Sequence, residues 1–526
     1  MIENLKILLV NKYFIYNKNM KKTKHTKKAM FTARTRIIDI QEGEDLVVLI
    51  NEQDAREHGI TSMDKVSLIY DDKEFVFDAN LTSKIVQRGE IGIFRDVQEK
   101  YEIKAGQLVT ISFTKNSSES LDALKKWLNG KRLNQKEILA IMKDISNNRF
   151  TDILTTYFSA MGFFFPSKDE DLYRMAKAMA ETGEMLHFPG VVADKHCMGG
   201  VPGNETTMIM IPLLTSLGIK MPKTFSKAIT TPAATGECVS VLMDISFNKK
   251  EIQELVKKNN CCLIRWGGLD LAPADEKLIK VAYPLSMQSY SRTVVSIMAK
   301  KYAMGINHSL IDIPVWPSAK VPDMKTAKRL KKKYEYVGRK LGMKMIVEIT
   351  DALQPIGAGI GAVLQVREVL RVLQQHANRP MDLEKKAIHL CAKIIELVGM
   401  AKGKEAEKLA YGQLITGKAR AMMQKIIKAQ NGNPNVRSEG LEMAKIQKNI
   451  VAEKSGKVKY IDMKVVNVAA RTLGSPLDLQ AGLYLHKKLG DTVKKGEVIY
   501  TMYANDESKI RLAKEFLDEK KMYIIK

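Results

Sequence analysis

Along the first part of the chain, apolar residues come in short runs broken by Gly, Asn and Asp: Leu46 to Ile50, Lys65 to Ile69, Phe75 to Phe77 and Leu108 to Ile111. Such runs are the pattern of strands joined by turns, and they predict a small all-β domain over residues 30–115. From Leu121 the spacing changes. Ile138, Ile141, Met142 and Ile145 recur at three and four residues, as do Leu172, Met175, Ala176 and Met179, which is the spacing of a buried helical face. These methionines are read as core packing.

From residue 188 to about 438, strand-like and helical runs alternate: Val191 to Ala193, Thr207 to Leu217, Ile252 to Lys258, Cys262 to Ile264, Leu310 to Ile313, Lys325 to Leu341 and Met345 to Ile349. That alternation predicts an α/β domain with a mostly parallel sheet. Strand signals return at Lys457 to Ile461, Ala481 to His486 and Val498 to Met502, so residues 440–526 are expected to form a separate β-rich domain. The fold class is multidomain α/β, and 526 residues is enough for several domains of ordinary size.

One stretch of the alternating region carries chemistry. The run from Asp194 through Lys195, His196, Cys197, Met198, Gly199, Gly200, Val201, Pro202, Gly203, Asn204 and Glu205 to Thr206 and Thr207 follows the strand-like Gly190 to Ala193 and precedes a helical stretch from Met208. Glycines let the backbone approach an anion closely, a helix start favours negative charge, and Lys195 adds a cation, so a bound phosphate is predicted here. The spacing matches neither the Walker pattern nor the dinucleotide fingerprint. A second set, Gly357, Gly359 and Gly361 before Val363 to Leu373, lacks a nearby lysine and is read as close packing.

Charge narrows the partners only slightly. With 84 Lys and Arg against 59 Asp and Glu the chain carries +25, which suits anionic substrates. Because the lysines are dispersed and there is no zinc-finger spacing, RNA-binding aromatic signature or arginine-rich tract, nucleic acid is not expected as a partner. Cys197, Cys238, Cys261, Cys262 and Cys391 are odd in number without metal-ligand spacing, which fits a reducing cytoplasm. Leu5 to Tyr16 is interrupted by Lys6, Asn11 and Lys12, so neither a secretion signal nor a membrane span is expected. Residues 1–29 read as a disordered basic arm, with Met30 as an alternative translation start.

The loop beginning Asp194-Lys195-His196, the segment Leu271-Ala272-Pro273-Ala274-Asp275, Ser296 with Lys300, and the glycine-rich stretch before Glu368 together resemble the thymidine, pyrimidine-nucleoside and AMP phosphorylase family. The resemblance runs from Met30 to the C-terminus. The additional N-terminal β domain and the Gly-Val-Pro-Gly-Asn wording are similar to the longer branch, which holds archaeal AMP phosphorylases and bacterial type 2 thymidine phosphorylases. It implies a helical domain assembled from residues 118–186 and 273–303, facing an α/β domain of residues 188–272 and 304–438. It also implies a homodimer or higher homo-oligomer.

The implied activity is that of a glycosyltransferase: phosphorolysis of thymidine to thymine and 2-deoxy-α-D-ribose 1-phosphate. The alternative is AMP as substrate, giving the base and ribose 1,5-bisphosphate. Inorganic phosphate is a substrate in either case, and the resemblance implies no cofactor and no metal. A phosphoribosyltransferase would instead need a magnesium-binding acidic cluster, and none is evident in the sequence.

Position by position, the resemblance places Lys195, Cys197, Gly199, Gly200, Thr206 and Thr235 on phosphate. It places Met198, Val201, Pro202, Ser296, Lys300 and Lys320 on the nucleoside. Lys195, His196 and Asp275 are the implied catalytic residues, the last two both being candidates to protonate the leaving base. Four departures stand out. Cys197 replaces a common Ser, a weaker donor. Gln288 occupies the position of an acidic proton donor and has no acid proton to give. Phe225, before Ser226 and Lys227, stands where a phosphate-binding Ser is usual. No arginine is found between Lys280 and Tyr283.

Overall fold

The structure, a computed structural model, describes residues 30–43, 46–71, 73–114, 117–164, 168–225, 231–265, 271–282 and 289–526. The basic arm, Ser226, Lys227, Tyr283 and Gln288 therefore lie outside the described residues. The chain forms two compact units. One holds the described residues up to Lys131 with Ala140–Phe158, the other Arg132–Leu139 with Ser159–Lys526.

In the first unit, β1 (Met30–Ile38), β2 (Val47–Asn51), β3 (Lys65–Tyr70), β4 (Lys73–Thr82), β5 (Glu90–Phe94) and β6 (Leu108–Phe113) close into a barrel of order β1-β5-β2-β4-β3-β6. Val48, Leu68, Phe77, Ile91 and Ile93 fill it. The domain is not all-β as expected. Pairs β1–β5 and β2–β4 are parallel, and parallel neighbours need crossover connections. Helix Glu52–His58 lies in one of these crossovers. It starts on Asn51, whose Oδ1 accepts from the Gln53 amide, and stops at Gly59 with φ 68°. Its sequence has no apolar run, so only its caps announce it.

Helix Ser118–Leu128 also belongs to this unit. Asn148 Nδ2 donates to the Val76 carbonyl of β4 at 3.0 Å and Arg149 pairs with Glu74, tying residues 140–158 to the barrel. The helical segment expected over 118–186 and 273–303 is thus divided between the two units. Asp169–Ala180, Pro273–Ala282 and Tyr290–Ala303 fall in the second.

The second unit contains the parallel sheet. β10 (His308–Val315) lies between β11 (Lys344–Asp351) and β7 (Ala193–Cys197), and β8 (Met221–Phe225) pairs with β9 (Cys261–Arg265). A bridge between Val192 and Lys220 joins the two sets, so the order is β9-β8-β7-β10-β11. The chain winds outward from β7 to β9, then returns to add β10 on the other side. That reversal makes the carboxyl end of β7 a topological switch point, where open α/β sheets bind ligands. Helix Thr206–Ser216, buried from Thr206 to Thr215, forms much of the core beneath.

Two expectations are corrected here. Strand β7 runs on through Cys197, although Asp194, Lys195 and His196 read as the start of a loop; their backbones pair with β10 in register from Asp194↔Ser309 to Cys197↔Asp312. Asp194 and Lys195 are tolerated mid-sheet because they meet buried partners, Asp194 in Lys223 and Lys301 and Lys195 in Thr206. Nor is the C-terminal domain separate. β12 (Gly359–Ile360), from the second glycine loop, is an edge strand of a sheet with β15 (Gly482–Leu485), β17 (Val498–Ala504) and β13 (Ile446–Val451). A Cβ on Gly361 would lie 2.3 Å from the Ala481 carbonyl and one on Gly482 2.0 Å from that of Ile360, so glycine is required for this close approach. A smaller sheet of β14 (Gly456–Ile461), β16 (Thr492–Val493) and β18 (Tyr523–Ile525) completes the domain.

Candidate active site

Successive side chains of a strand point to opposite faces, so β7 sends Lys195 and Cys197 one way and Asp194 and His196 the other. On the first face Lys195 is 1% exposed, and its Nζ donates to Thr206 Oγ1 at 2.8 Å, at the first turn of helix Thr206–Ser216. Cys197 Sγ accepts from the Gly199 amide and from Asn204 Nδ2, both at 3.4 Å. Burial and the nearby Asp312 push its thiol up. Asp312, next to Cys197 on β10, takes the Thr350 hydroxyl at 2.6 Å and pairs with Lys386 at 3.2 Å.

The intervening loop turns on Gly199, Gly200 and Gly203, all with positive φ. A Cβ on Gly200 would stand 2.8 Å from the Lys320 amide nitrogen, and one on Gly203 2.1 Å from the Ile356 carbonyl. These glycines bring the loop against the carboxyl ends of β10 and β11. They also fold Met198, Val201 and Pro202 inward. Met198 is buried and its Sδ accepts the Tyr334 hydroxyl, Val201 joins the core, and the Pro202 carbonyl receives the Ile356 amide. The Met198 and Val201 side chains, expected on the nucleoside, are packed into the interior beside the loop.

On the opposite face Asp194 is held between Lys223 of β8, at 3.0 Å, and Lys301 of helix Tyr290–Ala303. Burial disfavours its charge, but the two ammonium groups outweigh that and keep the carboxyl below its ordinary range. Lys223 is drawn down by burial and by the other lysines. His196 is driven well below 6.5 by burial and the charges of Lys301, Lys223, Lys300 and Lys195, so its imidazole is neutral at physiological pH.

Ser296 and Lys300 share a helical face and both meet Asp275: Ser296 Oγ donates at 2.7 Å and Lys300 Nζ lies 2.8 Å away. Asp275 is 3% exposed and opens helix Pro273–Ala282, just after Ala272, which holds a left-handed φ of 54°. The consecutive lysines 300 and 301 therefore connect one helix to two acids, Asp275 on a neighbouring helix and Asp194 on β7. Tyr290, at the start of the same helix, donates to the Lys320 carbonyl at 3.0 Å. Thr235 Oγ1 donates to Glu205 at 2.9 Å. Among the described residues, buried Asn204 Oδ1 and Ser318 Oγ have no hydrogen-bond partner.

Comparison with known proteins gives the family. Residues 457–523 match the pyrimidine nucleoside phosphorylase C-terminal domain. The AMP phosphorylase of Methanocaldococcus jannaschii is 35% identical over 486 residues, 92% of this chain and 95% of its own. That of Thermococcus kodakarensis is 36% identical over 91% of this chain and 94% of its own. The chain belongs to the long branch of the pyrimidine-nucleoside phosphorylase family. A further relative, a provisionally named thymidine phosphorylase of Bradyrhizobium diazoefficiens, is 37% identical over 91% of this chain and 93% of its own. Among solved structures, anthranilate phosphoribosyltransferase from Thermus thermophilus shares the fold, with a TM-score of 0.51 at 14% identity over 59% of this chain and all of that one.

As a member of this phosphorylase family the chain is a pentosyltransferase. Several residues around the candidate site carry no signal of their own in the sequence. Asp194 stands there only as the first residue of the motif, Lys301 hides beside Lys300, and Lys223, Glu205, Asp312 and Lys386 have no local pattern. Only the sheet order brings them together.

Proposed function

We propose that this phosphorylase acts on a nucleoside 5′-monophosphate, AMP first, using inorganic phosphate to give the free base and ribose 1,5-bisphosphate. The observation that carries this reading is the alignment of AMP phosphorylases over nine-tenths of the chain. Lys320 and the hydrogen-bond-unpartnered hydroxyl of Ser318, close together on the loop against Gly200, suit a second phosphate beside the one at Lys195.

In the proposed roles, Lys195, Thr206, Thr235 and the loop amides hold phosphate at the switch point. Lys320 and the unpartnered Ser318 hydroxyl, on the neighbouring loop, meet the nucleotide's 5′-phosphate. A phosphate oxygen attacks the anomeric carbon while its bond to the base nitrogen breaks, through a sugar of oxocarbenium character. Negative charge gathers on the departing base, where the Lys300 ammonium stabilises it, and the proton that hydrogen phosphate loses as its oxygen bonds to carbon ends on the base. Asp275 accepts from Ser296 and pairs with Lys300, and so acts by positioning Lys300. His196, neutral, donates a hydrogen bond and no proton. Thymidine is the second reading, favoured by the Bradyrhizobium relative.

The test is turnover of AMP, CMP, uridine and thymidine with phosphate, following released base and phosphorylated sugar. AMP turnover with ribose 1,5-bisphosphate as product is expected, and Lys320→Met should raise the KM for AMP. Turnover of thymidine without AMP would overturn the reading.

A further inference from the structure

Glu205 closes the glycine loop, directly before Thr206, and the reaction as proposed gives it no role. Its residue is 3% exposed. Its Oε1 accepts the Thr235 hydroxyl, and the charged or titratable groups facing it are Lys195 from β7, Lys223 from β8 and the Cys238 thiol. A carboxylate in an anion site is a conflict, since two negative groups brought together away from water repel strongly. The conflict is removed when the anion itself supplies a hydrogen. Hydrogen phosphate and dihydrogen phosphate both carry a P–O–H group, whereas sulfate at neutral pH has none. A carboxylate offers about four acceptor positions, and the Thr235 hydroxyl and Cys238 thiol occupy two.

We propose that Glu205 selects the nucleophile: its carboxylate accepts the P–O–H hydrogen of phosphate and thereby excludes sulfate, an anion of similar shape and charge. This rests on the assignment of the glycine loop to phosphate. Burial pushes the Glu205 carboxyl up to about 7, with the Thr235 hydrogen bond and the charges of Lys195 and Lys223 acting against it. Selectivity therefore has a working range. Above that value Glu205 only accepts, and sulfate is refused; below it the neutral acid can donate to a sulfate oxygen.

Calorimetric titration with inorganic phosphate and with sulfate tests this, using the ratio of the two Kd values, with the phosphate Kd referred to the hydrogen phosphate dianion so that phosphate's own titration in this range does not enter and general effects of pH on the lysines cancel. In the wild-type protein the ratio of sulfate Kd to phosphate Kd should be about tenfold larger at about pH 8 than at about pH 6. In Glu205→Gln, whose amide donates at either pH, the ratio should be small and equal at both. A wild-type ratio that does not move with pH, or a Glu205→Gln ratio that still does, overturns the proposal, and the first measurement needs no variant to fold. Lys195→Ala separates the two layers. If phosphate affinity survives it, the loop is not the phosphate site and both readings fail. If affinity collapses while the ratio stays fixed with pH in the wild type, only the role of Glu205 fails.

Discussion

Lys195 Nζ donates to Thr206 Oγ1 at 2.8 Å, binding the cation of β7 to the first turn of the helix that follows the glycine loop. An ammonium has three donors and this contact uses one, with a neutral hydroxyl as acceptor. The charge is thus aimed at the helix start, where an anion also finds free amides. Lys195→Ala should lower kcat/KM by about a hundredfold to a thousandfold, mostly through the KM for phosphate. Initial rates over a phosphate series check this. Thr206→Ala, which leaves the cation in place, should cost less.

Lys301 and Lys223 share Asp194 in the sheet interior, and all three groups are buried. Removing one member of a buried ionic cluster leaves charge uncompensated, at about 3 to 5 kcal/mol. Lys301→Met should lower the stability measured by urea unfolding by that order. Because Lys301 is the foremost charge holding His196 down, the same variant should let the imidazole titrate closer to its ordinary value, read by NMR of the ring protons.

Glu205 and His196 give the folding stability opposite pH trends. The Glu205 carboxyl is raised from 4.5 to about 7 in the folded protein, so its contribution is full below 4.5 and is lost as pH rises toward 7. His196 is lowered from 6.5, so its contribution is full above 6.5 and is lost as pH falls below it. Glu205→Gln should therefore stabilise the protein relative to wild type increasingly from about pH 4.5 to about pH 7. Thermal melting of the pair across that range checks the sign; a constant difference would contradict it.

Gly203 holds a φ of 76°, and a Cβ there would lie 2.1 Å from the Ile356 carbonyl, whereas Gly199, at 84°, has open space at the same position. Gly203→Ala should thus combine backbone strain with overpacking, about 2 to 4 kcal/mol, and weaken phosphate binding by parting the two glycine loops. Gly199→Ala should cost only the strain, about 1 to 2 kcal/mol. Parallel unfolding curves and phosphate titrations distinguish them.

The elements of the α/β region are legible because their apolar runs are long and differ in period. Thr207 to Leu217 lies within one residue of the helix Thr206–Ser216, and Lys325 to Leu341 within one of Met324–Lys340. Helices Glu52–His58 and Arg95–Tyr101 escape a reading of the pattern because neither is long enough to show a repeating apolar face. Strand β7 reads as ending at Ala193, since polar residues normally end a buried strand and the partners that let these continue come from 29 residues away, in Lys223, and from Lys301.

By itself the sequence determined the alternation of strands and helices in the α/β region, the glycine loop with its lysine, and the placing of Ser296 and Lys300 on one helical face, because each depends on neighbours within a few residues. Tertiary structure alone decided that Asp194 would be shared by two lysines, that Asp275 would receive both Ser296 and Lys300, that Glu205 would lie buried against Thr235, and that the second glycine loop would supply a strand to the C-terminal sheet. Those contacts join residues far apart along the chain. Their energies come from burial and charge, which a linear pattern does not contain until the sheet order brings the groups together.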